Sequence, residues 1–114
     1  MKSGDLVTVA FPFTDLSGAK RRPALVLLAH GQDLVLCGVT SQLSGRSDAV
    51  PLEGTDMDAG RLPKRSEVRP LKLFTIHRTL VHRTVGRVNR VILSRVLQLL
   101  ISALRSGRSP GIRH

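Results

Sequence analysis

The chain has neither tryptophan nor tyrosine, only three phenylalanines and one cysteine, and it is poor in acid, with 8 Asp and Glu in 114 residues. Each scarcity excludes something. The lone Cys37 cannot form an internal disulfide, and its place in an apolar run suits a reducing compartment. No stretch approaches the roughly 20 apolar residues of a membrane-spanning helix, and the amino terminus lacks the apolar core of a signal peptide. A soluble, cytoplasmic protein without membrane association is the expectation. His77, His82 and Cys37 stand at no recognisable ligand spacing, so neither a metal nor another cofactor is expected. With so few rings, and with Phe11, Phe13 and Phe74 equally suited to core or dimer contacts, nucleic-acid bases would stack on arginine planes or on Phe13.

Positive charge is what the chain has in excess. Lys and Arg number 18, which leaves a formal net charge of +10 and a surface that attracts polyanions, nucleic acid first among them. The length holds one domain with a modest core, read here as residues 1–106, followed by a flexible basic tail, 107–114, rich in Gly, Ser, Pro and Arg.

Apolar alternation and Gly, Pro, Asp and Ser punctuation predict strands over residues 5–11, 23–29, 33–40, 48–52, 66–70, 73–77 and 82–87. The run after Pro23 is almost continuously apolar, as in a strand buried on both faces, and Pro23 fits the start of a strand because it cannot donate to a ladder. From Arg90 to Leu104 the period becomes helical, with Asn89 available as N-cap. Its broad apolar face suits either deep packing or a share in a dimer seam. The sum is an α+β, mainly β architecture: a small β-barrel closed by one C-terminal helix.

Three clusters carry candidate chemistry. Lys20-Arg21-Arg22 ends in an arginine whose backbone is restricted by Pro23 and whose planar fork matches phosphate oxygens. Cleavage of RNA by its own 2′-hydroxyl needs a base, stabilisation of charge on the transition state and a proton for the leaving oxygen. Arg22 suits the second role and, because it stays charged, not the first. Thr40 and Ser41, at the end of a strand, offer hydroxyls to a phosphate. Lys64-Arg65-Ser66-Glu67-Val68-Arg69, read as a strand, sets Arg65, Glu67 and Arg69 on one face. His77 and His82 titrate near neutral pH but sit in a His-Arg-Thr duplication that suits structural duty.

Gly4-Asp5 opening the first strand, Arg22-Pro23 opening the second, Val39-Thr40-Ser41-Gln42, and Leu62-Pro63-Lys64-Arg65-Ser66-Glu67-Val68-Arg69 stand in the order and spacing of the MazF/PemK family of toxins. The chain resembles that family over roughly residues 4–104. The resemblance implies an SH3-like barrel, a homodimer, and the toxin of a type II toxin-antitoxin pair: a metal-independent endoribonuclease that cuts single-stranded RNA and is silenced by a cognate acidic antitoxin. It gives Thr40, beside Arg22, a part in cleavage, Ser41 a supporting role and Arg69 a place near the scissile phosphate. Lys20, Arg21, Lys64 and Arg65 then read as RNA backbone contacts. Two positions depart from the pattern. Leu71 stands where relatives carry a polar or acidic residue, and the loop Ser17-Gly18-Ala19-Lys20-Arg21 lacks their His, Glu or Gln. Glu67 would serve as base if it faced the cleft; the alternative is a non-catalytic SH3-like module that binds nucleic acid or protein.

Overall fold

The structure, a computed structural model, describes residues 1–11, 20–108 and 110, with Phe11 and Lys20 described in their backbone alone. Strands β1 (Asp5–Phe11), β2 (Lys20–His30), β3 (Asp33–Thr40), β4 (Val50–Leu52), β5 (Met57–Gly60), β6 (Ser66–His77) and β7 (Val81–Val88) precede one helix, α1 (Arg90–Ser106). They form one antiparallel sheet in the order β4-β6-β3-β2-β1-β7-β5, curled into a half-barrel.

Alternation divides the side chains of the three middle strands between two cores. Leu6, Leu25, Leu27, Cys37 and Val39 face the helix, where Ile92, Val96 and Leu100 cover them together with Val50, Leu52, Val68 and Val88. Val7, Val9, Ala24, Val26, Leu34 and Leu36 form a second cluster, against which Phe74, Ile76 and Val81 pack. The expected two-sided burial of the second strand is therefore met over Ala24–Leu27, all buried, and ends at the exposed Leu28. Gly4, at φ 95°, threads the start of β1 between its neighbours: its N–H donates to the Val26 carbonyl at 2.8 Å, and its own carbonyl accepts from Val88 N at 3.0 Å. Asp5, also buried, accepts from Arg87 Nε at 3.1 Å and from the Lys2 backbone at 3.0 Å. The Gly-Asp pair thus serves the fold.

The helix starts where expected: Asn89 Oδ1 accepts from Ile92 N at 2.9 Å. It runs two residues past Leu104 and stops at Gly107, which takes the left-handed conformation and donates to the Ala103 carbonyl. Ile92, Val96, Leu100 and Ala103 form its buried stripe, whereas Val91, Ile101 and Leu104 are exposed.

The larger departures from expectation each have a local reason. The strand β2 begins at Lys20, so Pro23 lies inside it; the proline is tolerated because pairing with β3 starts one residue later, at Ala24 opposite Gly38. Residues 66–70 and 73–77 are a single strand. Its pairing with β3 jumps from Arg69↔Gly38 to Leu73↔Cys37, so Pro70, Leu71 and Lys72 form a bulge that accommodates a residue with no N–H. β4 is shorter than 48–52, since Asp48 instead accepts both Nε and Nη2 of Arg46, at 2.8 and 2.7 Å. β5 has no counterpart among the expected strands because Met-Asp-Ala-Gly carries no β-former run. It pairs with β7 through close backbone approach, where a Cβ on Gly60 would meet the Val85 carbonyl and one on Gly86 the Ala59 carbonyl. Among the described residues no helix is long and apolar enough to cross a membrane.

Candidate functional site

The ladder between β2 and β3 pairs Ala24 with Gly38, Leu25 with Cys37 and Val26 with Leu36. Continued two residues outward, that register sets Arg22 opposite Thr40. On the other side of β3, Thr40 pairs with Glu67 and Gly38 with Arg69 of β6. Three adjacent strands thus bring an arginine, a threonine, a carboxylate and a second arginine to one end of the sheet.

Two clefts open there. The first, about 540 Å³, is lined by Arg22, Pro23, Gly38, Val39, Thr40, Gln42, Arg69, Lys72, Leu73 and Phe74. In the second, about 460 Å³, Arg21, Ser41, Lys64 and Ser66 stand among Leu6, Leu62, Pro63 and Val85. Arg22, Pro23, Val39 and Thr40 line both, so the Arg22–Thr40 pair is the ridge between two lobes. Cations Arg21, Arg22, Lys64, Arg69 and Lys72 line the lobes, and among the described residues no Asp, Glu or His does. Such a surface focuses a positive potential on whatever lies across the ridge.

Thr40 Oγ1 accepts a hydrogen bond from Gln42 N at 3.1 Å. With one lone pair occupied, its proton is available to a ligand oxygen, which makes the hydroxyl a donor. Glu67 is 3% exposed and lines neither lobe. Its Oε1 accepts from Ser44 N at 2.7 Å, and its Oε2 from Ser44 Oγ at 2.8 Å and from Arg69 Nε at 3.1 Å. Burial alone would raise its pKa, but the Ser44 hydrogen bonds and the charge and hydrogen bond of Arg69 outweigh it and hold the carboxyl below its ordinary range. Buried, hydrogen-bonded on both oxygens and outside both lobes, the carboxylate does not face the cleft. The expectation that Glu67 replaces a missing base is therefore corrected: its environment selects it as an anion.

The remaining expected residues divide. Arg21, Ser41 and Lys64 line the second lobe. Arg65 precedes β6, lies outside both lobes and pairs with Glu53 at 3.1 Å, so it does not share the face of Glu67 and Arg69 at the site. The side chain of Lys20, Phe13 and the Ser17–Ala19 loop lie outside the described residues, as do residues 109 and 111–114 of the tail. Leu71 sits in the bulge, half-exposed and away from the lobes. His77 Nδ1 engages Thr79 Oγ1 at 2.9 Å and caps the turn Arg78–Leu80, while His82 borders a shallow hollow beyond Arg21. Cys37 is buried, and its thiol is pushed up to about 12 by burial, which removes it as a nucleophile. No group of three or more His, Cys, Asp or Glu gathers among the described residues to hold a metal. Gln42, a motif residue given no role of its own, and Phe74, read as a core or dimer contact, also line the first lobe, as does Lys72, which the sequence did not single out; Pro70 was the available signal for it, because the bulge it marks changes which way Lys72 faces.

A testable consequence concerns acid. Because the folded Glu67 carboxyl sits below its unfolded value, its contribution to stability is complete above the ordinary carboxylate range and is lost as pH falls through the folded value. Urea unfolding at a series of pH values is expected to show a shallower acid loss of stability in Glu67→Gln than in the parent. Equal slopes would mean that this carboxyl is not depressed.

A family model describing the PemK-like, MazF-like toxin of type II toxin-antitoxin systems matches residues 2–104. No curated protein matches the chain in sequence. Among solved structures, MazE–MazF from Deinococcus radiodurans is similar with a TM-score of 0.75 and 26% identity, covering 96% of this chain and 98% of that one. An endoribonuclease in complex with its cognate antitoxin from a mycobacterial species has a TM-score of 0.72 at 18% identity, covering 92% and 95% of the two chains. The Mycobacterium tuberculosis toxin MazF-mt6 has a TM-score of 0.64 at 19% identity, over 87% and 95%. At the two lower identities the likeness concerns the fold. Taken with the match over nearly the whole length, the curled sheet, the single closing helix and the Arg22–Thr40 ridge, these findings place the chain in the PemK/MazF-like family of type II toxin-antitoxin toxins.

Proposed function

We propose that this toxin is a metal-independent endoribonuclease that lays single-stranded RNA across the Arg22–Thr40 ridge. The observation that carries the reading is the shared ridge itself: a phosphate seated on it would have one flanking nucleotide in each lobe, with cations on both sides and, among the described residues lining the lobes, no acid to repel it. The 2′-oxygen attacks phosphorus as its proton passes to water; the bond to the 5′-oxygen breaks, and that oxygen takes a proton from solvent. The products are a 2′,3′-cyclic phosphate and a 5′-hydroxyl. Arg22 and Arg69 stabilise the charge that gathers on the non-bridging oxygens, and the Thr40 hydroxyl donates to one of them. Ser41 supports from the second lobe, and Arg21 and Lys64 contact neighbouring phosphates, which adds affinity without sequence choice. Water carries both protons because the described lobes hold no titrating base. That same absence favours the second reading, a module that binds nucleic acid without cutting it.

The acidic, partly disordered segment of a cognate antitoxin would occupy the same lobes and exclude RNA by competition. The half-exposed Ile101 and the exposed Leu104 continue the apolar stripe of α1 past its buried face, and we assign this stripe to the seam of a homodimer. The single, buried Cys37 suits a cytoplasmic setting.

Incubation of long mixed-sequence RNA with the protein in EDTA is expected to give discrete cuts ending in cyclic phosphate. Arg22→Ala should lower the rate about 10²–10³-fold, as loss of a positioned transition-state donor does, and Thr40→Ala should also lower it. RNA bound but uncut by the parent would leave the binding module. For the seam, sedimentation should show a concentration-dependent dimer that Leu104→Glu weakens; a parent that stays monomeric at tens of micromolar, a rough range for weak association, would remove it.

A further inference from the structure

Glu67 is buried and charged, and it has no place in the chemistry of the lobes. A charged side chain so far out of water is costly unless fully partnered, and its three donors come from only two residues. Those two residues belong to different segments beside the site. Arg69 lines the first lobe; Ser44 lies two residues beyond Gln42 and three beyond Ser41, which line the first and second lobes respectively.

We propose that Glu67 is a positioning residue: its carboxylate clamps Arg69 by the inner Nε and the 41–44 segment by Ser44, so that both are set before RNA arrives. The proposal rests on the reading that RNA binds these lobes. Its geometric core is the division of the guanidinium. The bond to Glu67 uses Nε at 3.1 Å, on the side of the 4%-exposed carboxylate, and the Arg69 side chain keeps 20% exposure toward the lobe. The two terminal nitrogens therefore remain the part of the fork that a phosphate can meet. An untethered arginine gives up rotamer entropy in any such contact, and fixing it beforehand removes much of that cost from the transition state. The carboxylate also keeps Arg69 from folding away along β6, since both residues lie on the same face two positions apart. Ser44 contributes both its N–H and its hydroxyl, so the segment that carries Gln42 and Ser41 is held by the same anion that holds the arginine.

A residue that acts through Arg69 loses its effect when Arg69 is gone, which a merely structural residue does not. The test is a double-mutant cycle of Glu67→Gln and Arg69→Ala, read by single-turnover cleavage and by affinity for a 2′-O-methyl RNA that cannot be cut, with a melting curve for each variant. Alone, Glu67→Gln is expected to slow cleavage by up to about 10²-fold, the cost of a small misplacement of a reacting group, and to weaken affinity. In the Arg69→Ala background the loss should shrink to the share carried through Ser44 and the 41–44 segment. Equal losses in both backgrounds, or losses that follow the folded fraction, would overturn the proposal. Should Glu67→Gln fold poorly, Ser44→Ala removes one of its hydrogen bonds from an exposed position and is expected to show a smaller loss of rate and affinity with an unchanged melting curve; no loss would overturn the clamp. A parent that binds RNA without cutting it, with the affinity cycle still non-additive, would refute the nuclease reading and support the clamp. A parent that cuts RNA with an additive cycle would do the reverse, and a parent that binds no RNA would refute both.

Discussion

The middle of the sheet is covered on both faces, and the location of the chemistry follows from that constraint. Over residues 24–27 and 34–39, side chains divide between the helix-side core and a second core, and nearly all are out of water. An unpaired charge there would be prohibitively costly, so polar groups can leave the sheet only where this double burial ends. Arg22 and Thr40 are the first polar side chains beyond it, opposite each other in the continued β2–β3 register. The adjoining strand contributes a different solution. Its charge pair, Glu67 and Arg69, reaches the same end partly buried, with the anion fully hydrogen-bonded and the cation opening toward the lobe.

The bulge in β6 deserves equal weight in explaining the shape of the site. In a regular strand, Arg69 and Lys72 are three residues apart and face opposite ways. With Pro70, Leu71 and Lys72 passing opposite a single step of β3, both line one lobe, and Gly38 opposite leaves space for them. Bulges commonly re-aim side chains beside functional sites. Here the proline that interrupts the ladder doubles the positive charge that β6 delivers. It also displaces Leu71, whose position in the family pattern is otherwise polar, away from the lobes.

Much of this was legible in the sequence because it rests on local rules. The periods of two and of 3.6 mark β1, the core of β2, β3 and the helix, and Asn89 marks where the helix begins. Arg22 and Thr40 are visible as motif residues, and their meeting across two strands follows from a register that hydrophobic alternation enforces. What escaped depends on contacts between distant segments. β5 has no β-forming residues and exists because Gly60 and Gly86 let two backbones approach. Lys72 hides behind a bulge whose extent the sequence does not display. Arg65 looks equivalent to Arg69 by spacing, but it precedes the strand and turns to Glu53. Glu67 looks like a catalytic acid or base by type; only its burial and its Ser44 and Arg69 partners show that it is held as an anion.

The central claim is that RNA straddles the Arg22–Thr40 ridge and occupies both lobes. Its most direct measurement is an NMR titration with a short 2′-O-methyl single-stranded RNA, following backbone amides along β2, β3, the 41–49 segment and residues 64–77. The account predicts shifts at Arg21, Ser41 and Lys64 in one lobe together with Gln42, Arg69 and Lys72 in the other, with Arg65 unmoved. Shifts confined to one lobe, or lying elsewhere on the surface, would contradict it.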